Sequence, residues 1–479
     1  MNKKCQIFTP EAVVEDLLDS VEYKKDLFGK KVIDTACGDG NMLVTIVKRY
    51  VEEAIANDLS ISDITEGLEK DIYGIEIDFS HYKKCMMNLD MLVSQYGIKH
   101  VKWKILNKDS LKTNLNMKFD FVIGNPPYIK YSDLDNKTRG FIKAKFSTCT
   151  HGKFDYCYAF IEHGLSLLNE KGKMAFLIPN SIFKNVFAQK LREELIKNTI
   201  KIIDFKTRKL FNNALTSSAF IIIDNNINRD YIVYSNVVNK KTKKIKKVNL
   251  SGKWVFTNIT KRNNVKKYRF EDYFKASITI ATLYNKAYVL NQYEDYGEYY
   301  KVNDCLVEKS VVRVAASPRG LNSNKKELII FPYYYKDNVL KRYKQKEFEE
   351  IYPKAVEYLL TFSKELSKRK SDISTKWFEY GRSQALAHLN QSKLLISTVV
   401  TKTVKVYELS EDCIPYSGIY ITPRTNISLD KAKKMLESED FLKYVQGIGI
   451  NASGNSLRIT SSDINNYEFF CKGDFQWEK

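Results

Sequence analysis

Paired cysteines are missing from this sequence. Its eight cysteines, Cys5, Cys37, Cys85, Cys149, Cys157, Cys305, Cys413 and Cys471, stand apart, and none forms a C-x-x-C pair. That scatter argues against zinc sites and disulfide frameworks, so no metal is expected and reduced thiols of a cytosolic protein fit best. Long apolar runs are missing too: no stretch approaches the ~20 residues that cross a bilayer. Residues 1–30 lack the hydrophobic segment of a secretory signal, and a cytoplasmic location is expected. There is no G-x-G-x-x-G and no P-loop ending in Lys-Ser/Thr, which weakens dinucleotide and nucleoside-triphosphate readings. No internal repeat stands out, and no carboxylate–lysine constellation of a nuclease. Acidic residues are in deficit, 57 against 77 Lys and Arg, for a formal net charge of +20. Such an excess favours a polyanionic partner, although the abundance of Lys is partly compositional.

What is present is a globular composition, with 44% hydrophobic and 13% aromatic residues over 479 positions. That length suggests two or three domains. The chain is organised around Asp120-Phe121-Val122-Ile123-Gly124-Asn125-Pro126-Pro127-Tyr128. Phe121-Val122-Ile123 reads as a short buried strand. Two consecutive prolines stiffen the loop after it, remove two amide donors and leave its carbonyls free. A rigid tip thus carries an amide acceptor, a carbonyl and an aromatic face, the parts needed to grip a planar group with an exocyclic amine.

Residues 6–18 read as a capped helix, with Thr9 as N-cap and Pro10 in the first turn. Val32-Ile33 is a strand, followed by the small-residue turn Asp34-Thr35-Ala36-Cys37-Gly38-Asp39-Gly40 and a helix from Asn41 to Tyr50. That is the opening unit of a doubly wound α/β sheet. Further strands are expected at Ile72–Glu76, Val101–Ile105, Met174–Ile178, Ile200–Asp204 and Ser218–Asp224, with helices at Ser80–Tyr96 and Phe154–Leu168. Tyr131 to His151 reads as a mobile polar loop. The first four strands lead into Asp34, Glu76, Asp109 and Asn125, all polar and all at one edge of the sheet. Glu76 stands where a carboxylate can accept from two ribose hydroxyls. Spacing leaves Phe211 open between core packing and an aromatic wall.

Composition shifts at the basic run Lys240–Lys247, a boundary or a hairpin. The expected domains are 1–235 and 250–479. The second lacks βαβ alternation and reads as mixed α+β, with helices over Lys344–Arg369 and Leu429–Val445. Its Trp377-Phe378-Glu379-Tyr380-Gly381-Arg382-Ser383-Gln384 segment mixes aromatic, cationic and amide groups. Such a mix suits bases and phosphates, and a packed turn explains it nearly as well.

Together and in order, Phe8-Thr9-Pro10, Asp34 to Gly40, Gly74-Ile75-Glu76-Ile77-Asp78, Asp109 and Asn125-Pro126-Pro127-Tyr128 resemble the S-adenosylmethionine-dependent N6-adenine DNA methyltransferases of the gamma, TaqI-like arrangement. The resemblance covers residues 5–225. More loosely, the second half is similar to a target-recognition domain, on Ala276 to Tyr288, Phe331-Pro332-Tyr333 and Trp377 to Gln384. It implies a Rossmann-like seven-stranded methyltransferase sheet, S-adenosylmethionine as cofactor and double-stranded DNA as partner. It also implies a monomer and a companion restriction endonuclease encoded separately.

The resemblance gives roles as well. Thr9 and the loop with Asp34, Ala36, Cys37, Gly38 and Gly40 would hold the cofactor's methionine end, Glu76 its ribose and Asp109 its adenine amine. Asn125 and the Pro126 carbonyl would accept from the target amine, with Pro127 stiffening the turn. Tyr128 would stack on the extruded base and Phe211 would pack from another side. Trp377, Tyr380, Arg382 and Gln384 would contact DNA. Thr35, Asp39 and Met42 depart from the family's usual Pro, Ser and Phe. RNA and protein-glutamine methyltransferases share the Asn-Pro-Pro-Tyr tip. A long basic domain after the catalytic half argues for DNA recognition within the chain, and against a type I modification subunit.

Overall fold

The computed structural model describes residues 9–206, 208, 210, 217–256, 267–452 and 456–470. Phe8 and Phe211 lie outside them. The chain divides into two compact units, Met1–Thr257 and Asn258–Lys479.

In the first unit the elements run α1 Glu11–Ser20, β1 Val32–Asp34, α2 Asn41–Ala56, α3 Ile61–Asp71, β2 Ile72–Glu76, α4 Phe79–Ser94, β3 Lys104–Asn107 and β4 Phe119–Gly124. There follow α5 Asn136–Lys145, α6 Tyr156–Leu167, β5 Leu168–Pro179, α7 Gln189–Leu195, β6 Thr199–Asp204, β7 Ser218–Asp224, β8 Tyr231–Asn236 and β9 Lys241–Lys246. They build one nine-stranded sheet in the order β3-β2-β1-β4-β5-β7-β6-β8-β9. Strands β1 to β6 and β8 run the same way, with β7 reversed between β5 and β6 and β9 reversed at the edge. The first seven are the reversed-β7 sheet of a Rossmann-like methyltransferase, to which β8 and β9 add a hairpin.

The two faces are written into the strands with period two. Val122, Met174, Phe176, Ile178, Ile221 and Ile223 enter one core cluster, where α5, α6 and α7 supply Ile142, Phe160 and Leu191. Their neighbours Ile123, Ala175, Leu177, Phe220 and Ile222 enter another, where α1 to α4 supply Leu17, Ile46, Leu68 and Leu89. Both faces are covered, so β7 is buried at every position and shows no polar alternation.

Several expectations need correction. Tyr131 to His151 is not a loop: Asp135 caps α5 by accepting from Thr138 N, and Ile142, Phe146 and Cys149 are buried. Its charged residues lie on the outer face and mask that sparse apolar stripe. Thr9 is not an N-cap, since Pro10 holds that place and α1 has no side-chain cap. The third strand lies at Lys104–Asn107 rather than 101–105. The first unit also runs past 235. The basic run is β9, and beyond it Trp254 stacks on Phe183 at 5.9 Å while Phe256 stacks on Tyr234 at 4.2 Å.

The second unit is mixed α+β. One four-stranded sheet orders Phe274–Ile278, Ile419–Pro423, Lys393–Ile396 and Val406–Leu409, all antiparallel. Another orders Val289–Leu290, Glu327–Ile330, Val312–Ala316 and Ile414–Pro415. The helix expected over 344–369 is three, Gln345–Ile351, Pro353–Leu360 and Ser363–Ser367, because Pro353 cannot continue the first. The one expected over 429–445 divides where Ser438 accepts from Phe441 N to start Glu439–Ile448.

Candidate active site

Strand β4 ends at Gly124, beside Asp34 at the end of β1. A Cβ on Gly124 would lie 2.9 Å from Asp34 Oδ1, so this strand end tolerates no side chain without movement. Asn125 follows, partly buried. Its Nδ2 donates to Thr9 Oγ1 at 3.2 Å, and its Oδ1 is buried without a hydrogen-bond partner. A buried carbonyl oxygen with no donor costs free energy unless a ligand supplies one. Three residues on, the Tyr128 hydroxyl donates to the Leu177 carbonyl at 2.9 Å. Burial pushes that phenol far above its usual range. The residue is partly buried and packs against the core, so the tyrosine is anchored at its tip three residues from Asn125.

The loop after β1 is shaped by two glycines in the left-handed region, Gly38 at φ 54° and Gly40 at φ 87°, where side chains are strained. Gly40 also starts α2 and packs against Cys85, whose Sγ would lie 2.7 Å from a Cβ there. Asp39 pairs with His81 of α4, and Asn88 Nδ2 donates to its carbonyl at 2.8 Å. No local pattern hints at that clamp, because its members are 42 and 49 residues from Asp39. Asp34 is 2% exposed, and its Oδ1 accepts from Ala36 N at 2.9 Å. Burial raises its carboxyl to about 7. Cys37 is buried against Cys85, and its thiol is pushed well up by the hydrogen bond to Cys85 and by burial.

Glu76 reaches across from β2. One carboxylate oxygen accepts from Gly38 N at 2.9 Å and the other from Asp78 N at 2.7 Å. Each oxygen keeps a further acceptor position, so the carboxylate is oriented and still able to take two hydroxyls. Ile77 beside it is 42% exposed, an uncovered apolar side chain suited to a flat ring. Asp109, after β3, accepts from Leu111 N at 3.1 Å and from Lys112 Nζ at 2.9 Å. Its neighbour Ser110, unremarked in the sequence, has a buried hydroxyl with no partner. Carboxylate, left-handed glycines, uncovered isoleucine and unpartnered hydroxyl fit a nucleoside bearing an amino acid tail. Among the described residues no cluster of three metal-ligating side chains occurs.

In the second unit the Trp377–Gln384 segment is a hydrogen-bonded turn. Glu379 is fully buried, paired with Arg342 and accepting from Lys376 N at 2.8 Å. Tyr380 is also fully buried, its hydroxyl donating to the Ile330 carbonyl at 2.7 Å. Tyr380 therefore packs the core and is not available to DNA; its apolar ring finds more to bury than a surface position offers. Trp377 is half-buried and lines a cavity of about 670 Å³ with Arg369 and Lys376. Arg382 and Gln384 are exposed.

Strand order and strand-end chemistry define a methyltransferase-type α/β unit. Residues 41–211 match the model of the Eco57I restriction-modification methylase family. The type II methyltransferase M.BstVI of Geobacillus stearothermophilus is 26% identical over 49% of this chain and 45% of its own length. The type II restriction enzyme and methyltransferase RM.Eco57I of Escherichia coli is 23% identical over 83% of this chain and 49% of its own. This chain thus spans about half the length of those relatives. Among solved structures, the type IIL restriction-modification enzyme MmeI in complex with DNA shares the fold over 95% of this chain and 64% of its own, at a TM-score of 0.61 and 14% identity.

Proposed function

We propose that this chain transfers a methyl group from S-adenosylmethionine to N6 of an adenine swung out of duplex DNA, as the modification activity of a restriction-modification system. The observation that carries the proposal is the buried Asn125 Oδ1 that lacks a donor, at the stiff end of β4 close to the partly buried Tyr128. An adenine amine is a poor nucleophile because its lone pair is delocalised into the ring. Acceptance of its hydrogens by Asn125 Oδ1 and the Pro126 carbonyl favours a pyramidal nitrogen with the pair available for attack. The cofactor, when bound, supplies an electrophilic methyl carbon. Glu76 would take its ribose hydroxyls, Asp109 its adenine amine, and the Asp34–Gly40 loop its methionine end. The residues act by orientation and preorganised acceptors, with no covalent protein intermediate. Unstacking the base costs a few kcal/mol, roughly, and stacking on Tyr128 returns ~1–3 kcal/mol of it. In the second unit Trp377, Arg382 and Gln384 remain candidates for DNA contact.

Tritiated cofactor offered with duplex DNA, RNA and protein in parallel tests the reading. Label in DNA alone is expected. Label in RNA or protein with none in DNA would overturn it.

A further inference from the structure

Thr9 precedes a proline at a helix start, where a threonine ordinarily caps its own helix. Here it does not: α1 has no side-chain cap, and the Thr9 hydroxyl instead accepts from Asn125 Nδ2, 116 residues away. Thr9 is 7% exposed. It is held firmly, because the next residue's carbonyl accepts from Val13 N at 2.9 Å and Val14 N at 3.1 Å. Val14, Leu17 and Leu18 then lock α1 into the core. A fixed hydroxyl therefore meets one end of the Asn125 amide.

An asparagine amide has two ends of nearly equal shape and opposite function, and its last torsion is close to two-fold. With the oxygen toward the pocket, Asn125 accepts from an amine. With the nitrogen toward it, two donors face two donors and the amine is repelled. A hydroxyl at the far end can accept from Nδ2 or donate to Oδ1, and here it accepts. Thr9 Oγ1 takes Nδ2 and leaves Oδ1 as the buried atom without a partner.

We propose that Thr9 is a positioning residue for Asn125, whose hydroxyl holds the Nδ2 end of the amide and so keeps Oδ1 turned to the acceptor amine. This rests on the adenine-methylating reading of Asn125, and differs from a role at the cofactor's methionine end because it acts on the acceptor side. The test compares full-length wild type, Thr9→Val and Thr9→Ser. Single-turnover methyl transfer to duplex DNA is measured at saturating cofactor, beside calorimetric cofactor affinity and thermal unfolding.

Thr9→Val is expected to slow transfer about ten- to a hundredfold, the scale of a misplaced reacting group. Its cofactor affinity and melting are expected to be unchanged, and Thr9→Ser is expected to restore the rate. A valine variant that transfers at the wild-type rate overturns the proposal. So does one that weakens cofactor binding yet recovers full rate at saturation. Should valine prevent folding, Thr9→Ala removes the same acceptor with less volume and carries the same outcomes. A wild-type chain inactive on all DNA removes the functional reading and this one with it, whereas an active wild type beside an equally active Thr9→Val removes this one alone.

Discussion

In the proposed reaction Asn125 and Tyr128 divide the work at the end of β4. Replacing Asn125 by alanine removes the buried acceptor and no packing of consequence. Methyl transfer is expected to be lost while calorimetric cofactor affinity stays at the wild-type value; a variant that keeps full activity contradicts the role. Tyr128 is held by its hydroxyl on the Leu177 carbonyl, so Tyr128→Ala removes the stacking surface. The fluorescence rise of 2-aminopurine at the target position is then expected to shrink, and an unchanged rise would contradict stacking.

Asp34 gives a pH signature. Its carboxyl is raised to about 7 by burial, from an ordinary 3.8. The folded chain therefore holds a proton there that the unfolded chain loses, and this group's contribution to stability falls as pH rises from about 4 to about 7. Asp34→Asn should lack that decline, so denaturant midpoints of the two proteins should differ more at pH 8 than at pH 4, in favour of the variant. A wild type that gains stability relative to the variant over that range would contradict the assignment.

At the scale of elements, the site depends on strand ends and on what brings them level. β2 and β7 lie where their apolar runs predict them, at Ile72–Glu76 and Ser218–Asp224. Buried central strands announce themselves as short apolar runs between polar turns. The four strand-end residues, Asp34, Glu76, Asp109 and Asn125, are legible for the same reason. Each stands at or just after a recognisable strand.

Helix α5 was not legible, because its buried residues are few and are set among Lys137, Arg139, Lys143 and Lys145. The burial of Tyr380 was hidden because an aromatic next to Arg382 looks alike whether it meets a base or a core. The clamp of Asp39 by His81 and Asn88 depends on contacts between elements that no local pattern records. The β8–β9 extension carries a prediction of its own. Trp254 is 1% exposed and stacks on Phe183, so Trp254→Ala should cost about 3–5 kcal/mol of the first unit's stability in denaturant unfolding. A loss near zero would mean that residues beyond 246 do not belong to its core.

For the molecule as a whole, the net charge of +20 sets the terms of association. Lysines repeat along β9 at 241, 243, 244 and 246, and Lys206 lies near enough to hold the Lys243 ammonium below its usual range, after burial. A net positive excess of this kind favours a polyanion and releases counterions on binding. Duplex affinity is expected to fall about 10³–10⁵-fold between 50 and 200 mM salt if six to ten phosphates are engaged. A flat response would contradict a phosphate-dominated interface. The two units divide the chain near residue 257, and the family match lies wholly within the first. The proposed methyl transfer would therefore belong to that unit, leaving the second to carry sequence choice.

The most direct measurement is mass spectrometry of nucleosides digested from duplex DNA after reaction with S-adenosylmethionine and this chain. The account predicts N6-methyladenine from the wild type and none from Asn125→Ala. A methylated cytosine in its place, or N6-methyladenine formed equally by the alanine variant, would contradict it.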